Sequence, residues 1–312
     1  MLLKSGDLLH FPSTIVKHVE LDIDFEITLC PALQKKPAEP EPHFDIETTK
    51  SEVIADRGDK VDPFAPPYDP HLYVGELKDE PSEEEFVVLV RANFRSQASP
   101  LLPSELVQTY SLLVAGRHAG KNLFAFYNCG DHSGASQPHK HIQFLPRNSP
   151  LGPPIERLAR KARIEFPTRP FALNQLPYAS HSFRFPSHLE TFPSEELERI
   201  LSEAFMQLLD LSIQTIRHDE DYPVGRPSYN VIITLEHMHL IPRKREAHVL
   251  AKTGEKLPVN SLGFAGMLLV KSEKELEAVK EETIGKILRG VGLESVLDQQ
   301  CDGTAQEVKD VL

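Results

Sequence analysis

Two stretches of this chain end almost alike, "HIQFLPR" at residues 141–147 and "HMHLIPR" at residues 237–243. The first closes a unit that runs "NLFAFYN" (122–128), then "CGDHSGASQP", then "HKHIQFLPR". Alternating apolar and polar residues put successive side chains on opposite faces of a strand, so this unit predicts a hairpin whose turn has been enlarged. A helix precedes it, starting near Pro103, with Leu106, Val107, Tyr110, Leu113 and Val114 as its apolar stripe and Gly116 and Gly120 as its end. The second half repeats the theme more loosely. "SEELERILSEAFMQLLDLSIQTI" sets Leu197, Ile200, Leu201, Ala204, Phe205 and Leu208 on one face of the longest helix expected, and "SYNVIITLEHMHLIPR" follows. The echo predicts an α+β chain of two related halves, each a mainly antiparallel sheet with packed helices.

The remaining segments fit around this frame. Residues 8–30 alternate with β-branched enrichment and read as a strand or two. Residues 35–70 are rich in Pro and charge and read as an extended linker, followed by the short apolar runs "LYVGEL" and "FVVLV". "FALNQLPYASHSFRF" reads as strands, and "SEKELEAV" carries a capping box of Ser272 and Glu275 before a short helix. The expected division is an N-terminal half over 1–165, a C-terminal half over 166–296 and a flexible tail over 297–312.

A length of 312 residues suits one large domain or two closely packed ones. The net charge of −12 excludes a protein that coats nucleic acid, while leaving room for a small anionic substrate wherever cations or backbone N–H groups converge. The opening "MLLKSGDLLHFPST" reads as neither a signal peptide nor a membrane span. Three cysteines, Cys30, Cys129 and Cys301, are odd in number and far apart, which predicts a reducing setting, the cytoplasm with the nucleus as a second compartment. Motifs for zinc, dinucleotides and P-loops are missing.

On a strand over 139–144, His139, His141 and Gln143 share one face while Lys140, Ile142 and Phe144 share the other. Three readings stay open from the residues alone. Two histidines at i, i+2 in a chain with 14 of them are most often structural. A metal pair lacks a cysteine or carboxylate at familiar ligand spacing. A nucleophilic imidazole aimed at phosphorus is the third, with the small residues Gly134, Ala135 and Ser136 letting backbone N–H groups approach anionic oxygens. Cys129 reads as filling a strand end.

The stretch "NCGDHSGASQPHKHIQ" resembles the active-site signature of the diadenosine tetraphosphate phosphorylases, the ATP adenylyltransferases of the histidine-triad and galactose-1-phosphate uridylyltransferase superfamily. "GDLLHFPST", "CPALQKKP", "KVDPF", "SQASPLLPSEL", "SYNVIITLEHMHLIPR" and "NSLGFAGMLLVKS" are similar to family segments in the same order. The resemblance implies a histidine-triad-like fold and phosphorolysis of diadenosine tetraphosphate to ADP and ATP through a covalent histidine–AMP. It makes His141 the nucleophile, Gln143 a phosphate ligand and His139 an orienting residue. It assigns nucleotide binding to Lys60, Asn128, Gly134, Ala135, Ser136, Gln137, Gln143, Asn260, Ser261, Leu262, Met267 and Lys271. It implies no tightly bound cofactor, inorganic phosphate as co-substrate, and a divalent cation accompanying the nucleotide. The partners implied are diadenosine polyphosphates, ATP, ADP and phosphate, with neither nucleic acid nor membrane, acting on a monomer. His237 and His239 resemble a second catalytic pair but are expected to be structural, since the family nucleophile lies in the first half. In this chain "EEEFVVLVRANFRSQ" passes directly between two family segments that are normally separated by about a dozen further residues, a loss expected to bare an edge strand or weaken binding. The alternatives are a catalytically impaired nucleotide-binding paralogue and a nucleotidyltransferase acting on sugar phosphates.

Overall fold

The computed structural model describes residues 12–35, 64, 87–90 and 94–295. Lys60, the "LYVGEL" segment, the tail and nearly all of the expected linker lie outside the described residues.

The strands, in chain order, are β1 (Thr14–Glu20), β2 (Ile23–Leu29), β3 (Val87–Val90), β4 (Asn122–Cys129), β5 (His141–Arg147), β6 (Phe171–Ala172), β7 (His181–Arg184), β8 (Ser228–Ile233), β9 (His237–Arg243), β10 (Ala247–Val249), β11 (Lys256–Pro258) and β12 (Met267–Val270). The helices are α1 (Pro103–His118), α2 (Pro154–Lys161), α3 (Ser194–His218), α4 (Ser261–Phe264), α5 (Glu273–Glu282) and α6 (Ile284–Val291). A seven-stranded sheet in the order β3-β5-β4-β8-β9-β7-β6 forms the centre, and all its recorded pairings are antiparallel. The two halves therefore share one continuous sheet, joined through β4 and β8.

That junction explains the sequence echo. Phe126 pairs with Gln143 on one side and with Ile232 on the other, and Ile232 pairs with His239. An approximate two-fold axis passing through the Phe126–Ile232 pair relates β4-β5 to β8-β9, and it places His141 and His237 in equivalent positions.

Each face of this sheet has its own core. Ala125, Tyr127, Ile142, Phe144, Val231 and Leu240 bury themselves under α1 and α3. Phe124, Phe126, Ile232 and Ile241 face the opposite way, into a core shared with β2, β12 and the helices α2, α4, α5 and α6. Strand side chains alternate, so His141 and Gln143 project from this second face, away from the two long helices.

The smaller β1-β2-β12 sheet lies on that side, with β12 parallel to β2. Its hairpin closes on two residues, Leu21 and Asp22, both at positive φ, as the right-handed twist of the flanking strands demands. The expected stripes on α1 and α3 are buried except at Val107, Val114 and Leu197, which are partly buried, and Ser272 caps α5 by accepting from the N–H of Glu275. Helix α1 runs through Gly116, contrary to expectation. A Cβ there would come within 2.6 Å of the Leu123 side chain, so this glycine serves close packing while Gly120, at φ +73°, makes the turn. Among the described residues, no helix is long and apolar enough to cross a membrane.

Candidate active site

The loop between β4 and β5 is held from beneath by an arginine. Arg243 is wholly buried, and its guanidinium donates to the carbonyls of Ser133 (3.0 Å), Val259 (2.8 Å) and Arg245 (2.7 Å) and to Asn230 Oδ1 (2.5 Å). Asn230 Nδ2 donates to Ser133 O at 2.9 Å and to Asn128 Oδ1 at 2.8 Å. Burial lowers the Arg243 pKa to about 9, which still leaves the group charged at neutral pH. Gly134 sits at φ +76°, and a Cβ on it would lie 2.5 Å from Val259 O. The glycine is thus what lets the first-half loop close on the second half. Beyond it Ala135 is buried, Gln137 is half-buried and Ser136 is exposed. Among the described residues, none accepts from the backbone N–H groups of Gly134 to Gln137. Such a run of donors is suited to anionic oxygens.

Regular pairing of β5 begins only at His141. Residues before it pair elsewhere: Gln97 N–H donates to Pro138 O and Lys140 N–H to Arg95 O, each at 2.8 Å. His139 is therefore on a bridge to Ser96 rather than within the expected strand. His141 Nδ1 lies 2.8 Å from the carbonyl oxygen of His139. A carbonyl only accepts, so Nδ1 must carry the proton, which in the neutral form of the ring puts the lone pair on Nε2. His139 thus fixes the orientation of the His141 ring through its backbone carbonyl. His141 is only 4% exposed, with the Phe64 ring centroid 5.1 Å away, while Phe94 stands 5.3 Å from the His139 ring. On the reverse face Lys140 Nζ makes a buried ion pair with Glu105 Oε2 at 2.7 Å, tying the start of β5 to the first turn of α1. Cys129 is buried and its thiol is pushed up to about 11, chiefly by desolvation, which suits a packing role.

The second half meets this site through Ser261. Its N–H and Oγ donate to Asn128 Oδ1 at 3.0 and 2.6 Å. Asn260 caps α4 through a bond from Leu262 N–H. Gly134, Asn128, Asn260 and Ser261 are thereby gathered into one cluster beside the entry to β5. Leu262 and Met267 are partly buried against the core of the same face. The Met267 sulfur accepts from Arg147 at the far end of β5, and Lys271 pairs with Glu275. Gln143 is half-buried, two residues along from His141 on the same face.

Two family profiles meet on this chain: residues 2–160 match the Ap4A phosphorylase N-terminal domain and residues 174–294 the ATP adenylyltransferase C-terminal domain. The chain belongs to the Ap4A phosphorylase family. It is 28% identical over 304 residues to diadenosine 5',5'''-P1,P4-tetraphosphate phosphorylase 2 of Saccharomyces cerevisiae, covering 89% of this chain and 86% of that protein. It is similar to the crystal structure of yeast Ap4A phosphorylase Apa2 in complex with Ap4A, with a TM-score of 0.71 at 25% identity over 94% of each chain. The structure of Apa2 alone gives a TM-score of 0.70, covering 94% of this chain and 90% of that one.

Within this Ap4A phosphorylase fold, the two-fold counterpart of the His141 site is filled by the protein itself. Glu156 of α2 is wholly buried, 2.9 Å from His237 Nδ1 and 3.4 Å from His239 Nε2. The other ring nitrogens are also used: His237 Nε2 accepts from Arg184 Nε at 2.9 Å, and His239 Nδ1 bonds to Ser182 Oγ at 2.8 Å. Neither ring retains a free lone pair, so this pair is structural. Burial pushes the Glu156 carboxyl up, but hydrogen bonds from His237 and His239 outweigh it and hold the group below the ordinary carboxylate range. Glu156, Glu236 and His237 lie close enough together for a cation. Arg160 supplies the charge there, 2.7 Å from Glu236 and 3.5 Å from Glu156.

Four contributors escaped the sequence reading: Gln97, Arg243, Glu156 and the Lys140–Glu105 pair. Arg243 left a trace as the shared "PR" ending of the echo, and Gln97 and Glu105 lie in the quoted segment "SQASPLLPSEL" with no role assigned to them.

Proposed function

We propose that this protein cleaves diadenosine tetraphosphate by phosphorolysis, with His141 Nε2 as the nucleophile. The observation that carries the reading is the bond from His141 Nδ1–H to the carbonyl of His139, just ahead of β5, which fixes the tautomer whose lone pair is on Nε2. Nε2 forms a bond to the α-phosphorus as the bond to the departing ATP breaks, leaving AMP on the imidazole. The His139 carbonyl stabilises the positive charge that the ring gains. An oxygen of inorganic phosphate then displaces the imidazole, giving ADP and returning the ring to its neutral form. The backbone N–H groups of Gly134 to Gln137, the Gln143 amide and the cation at Arg243 oppose the negative charge that builds on the phosphoryl oxygens. Asn128, Asn260, Ser261, Leu262, Met267 and Lys271 bind nucleotide in this reading.

Similarity to a yeast phosphorylase and to Apa2 with bound Ap4A supports the substrate class. The shortened segment after Val90 does not leave β5 bare, because β3 pairs with it and sets Val90 opposite His141. That favours turnover over a binding-only relative. Incubation with diadenosine tetraphosphate and phosphate should release ATP and ADP in equal amounts, and His141→Asn should reduce the rate by at least about a thousandfold. Undiminished turnover by that variant would remove His141 from the reaction. Nucleotide binding without product, measured by calorimetry on the wild type, would replace the enzyme with a nucleotide-binding protein.

A further inference from the structure

The β4–β5 ladder stops one step short of the nucleophile. Its last recorded pair is Phe126 with Gln143, and the next position in phase would set Asn128 opposite His141. A side chain spans that step instead. Gln97 is fully buried; its Oε1 accepts from His141 N–H at 2.8 Å, and its Nε2 donates to Asn128 O at 2.8 Å and to His141 O at 3.3 Å. One primary amide therefore stands in for two backbone groups. Its own backbone is fixed in turn, since Gln97 N–H donates to Pro138 O at 2.8 Å and Gln97 O accepts from Tyr127 Oη–H at 2.9 Å.

Glutamine is the residue this position requires. The site needs an acceptor for one N–H and a donor for two carbonyls at the end of a side chain, and a neutral amide supplies both. A carboxylate would offer no donor, and an aliphatic chain would leave three buried backbone groups unpaired. Direct pairing of Asn128 with His141 would draw the strands to ladder spacing, with the Cα atoms about 5.5 Å apart. The interposed amide holds them open where the phosphoryl group must enter between the nucleophile and the loop.

We propose that Gln97 is a positioning residue for adenylyl transfer: its amide keeps β4 and β5 apart at Asn128 and His141 and so sets the aim of the His141 ring. This rests on the function proposed above. It predicts that Gln97→Met and the near-isosteric Gln97→Glu slow the single-turnover release of ATP by about 100-fold, the loss typical of a small misplacement of a reacting group. AMP affinity should change by less than about threefold, because the loop and Ser261 remain in place.

The second readout requires no turnover. Nitrogen-15 NMR of histidine-labelled protein should show the wild-type His141 ring as the Nδ1–H tautomer, and both variants should shift it toward a mixture. Single-turnover rates per folded molecule equal to wild type, with an unchanged tautomer, would overturn the proposal and leave Gln97 as packing. If Gln97→Met does not fold, Gln97→Glu decides by the same two readouts. If the wild type itself releases no ATP, the proposed function fails, and the tautomer comparison still decides whether Gln97 positions the ring.

Discussion

Arg243 shows how a single residue joins the two halves. Its guanidinium is bonded to carbonyls from residues 133, 245 and 259 and has the Phe264 ring 5.0 Å away, so it locks the β4–β5 loop to the approach to α4. Removing the fork leaves buried carbonyl oxygens without donors, a desolvation penalty of about 1–3 kcal/mol for each group left unpaired. Arg243→Met should lower stability by roughly 3–5 kcal/mol, read as a reduced urea midpoint at unchanged slope. Arg243→Lys should recover only part of this, because an ammonium cannot reproduce a planar fork. The sequence showed only the shared "PR" ending, not this role. An arginine that ends a strand reads as surface, and its partners are backbone oxygens contributed by distant segments, which carry no residue signature. His141 was singled out only through the resemblance of its motif, since the residues alone left a structural, a metal and a nucleophilic reading open.

Helix α2 packs Ile155, Leu158 and Ala159 into the core and adds one buried carboxylate, Glu156. Glu156 has a folded pKa held below its unfolded value by His237 and His239, so its contribution is complete above about pH 4.5 and falls away as acid protonates it. Glu156→Gln should cost about 2–4 kcal/mol at neutral pH. Its stability should also vary less than wild type between pH 5 and the acid limit, which thermal melts across that range will show; parallel curves would deny the linkage. The loop opposite depends on glycine. Gly134→Ala would force a Cβ against Val259 O at positive φ, and it should weaken AMP binding by at least about tenfold while lowering the melting temperature. The helices were readable because their apolar stripes repeat with the helical period and α1 begins with a proline. The start of β5 was not, because alternation continues back through His139 while the actual pairing is interrupted by residues 95–97, which lie some forty positions earlier in the chain.

Across the described residues, an approximate two-fold sheet carries two versions of one motif, and the second is closed by a carboxylate of the protein itself. The first-half histidines follow a glycine loop whose N–H groups meet no acceptor among the described residues; the second-half pair is closed by Glu156, an internal anion. The echo in sequence was enough to anticipate two related halves. That the halves fuse through β4 and β8 into one sheet was not legible, because strand pairing between segments a hundred residues apart depends on register rather than composition. The asymmetry predicts a double dissociation. His237→Asn should lower stability while leaving adenylyl transfer per folded molecule within about threefold of wild type; His141→Asn should do the reverse. Urea melts and single-turnover assays on the same preparations separate the two. The most direct test is to mix the protein with diadenosine tetraphosphate in the absence of phosphate, quench in alkali and map the adenylate by mass spectrometry. The account predicts one acid-labile AMP on the peptide containing His141, discharged as ADP when phosphate is added. ATP release with no adenylate on the protein, or an adenylate on any other residue, would contradict it.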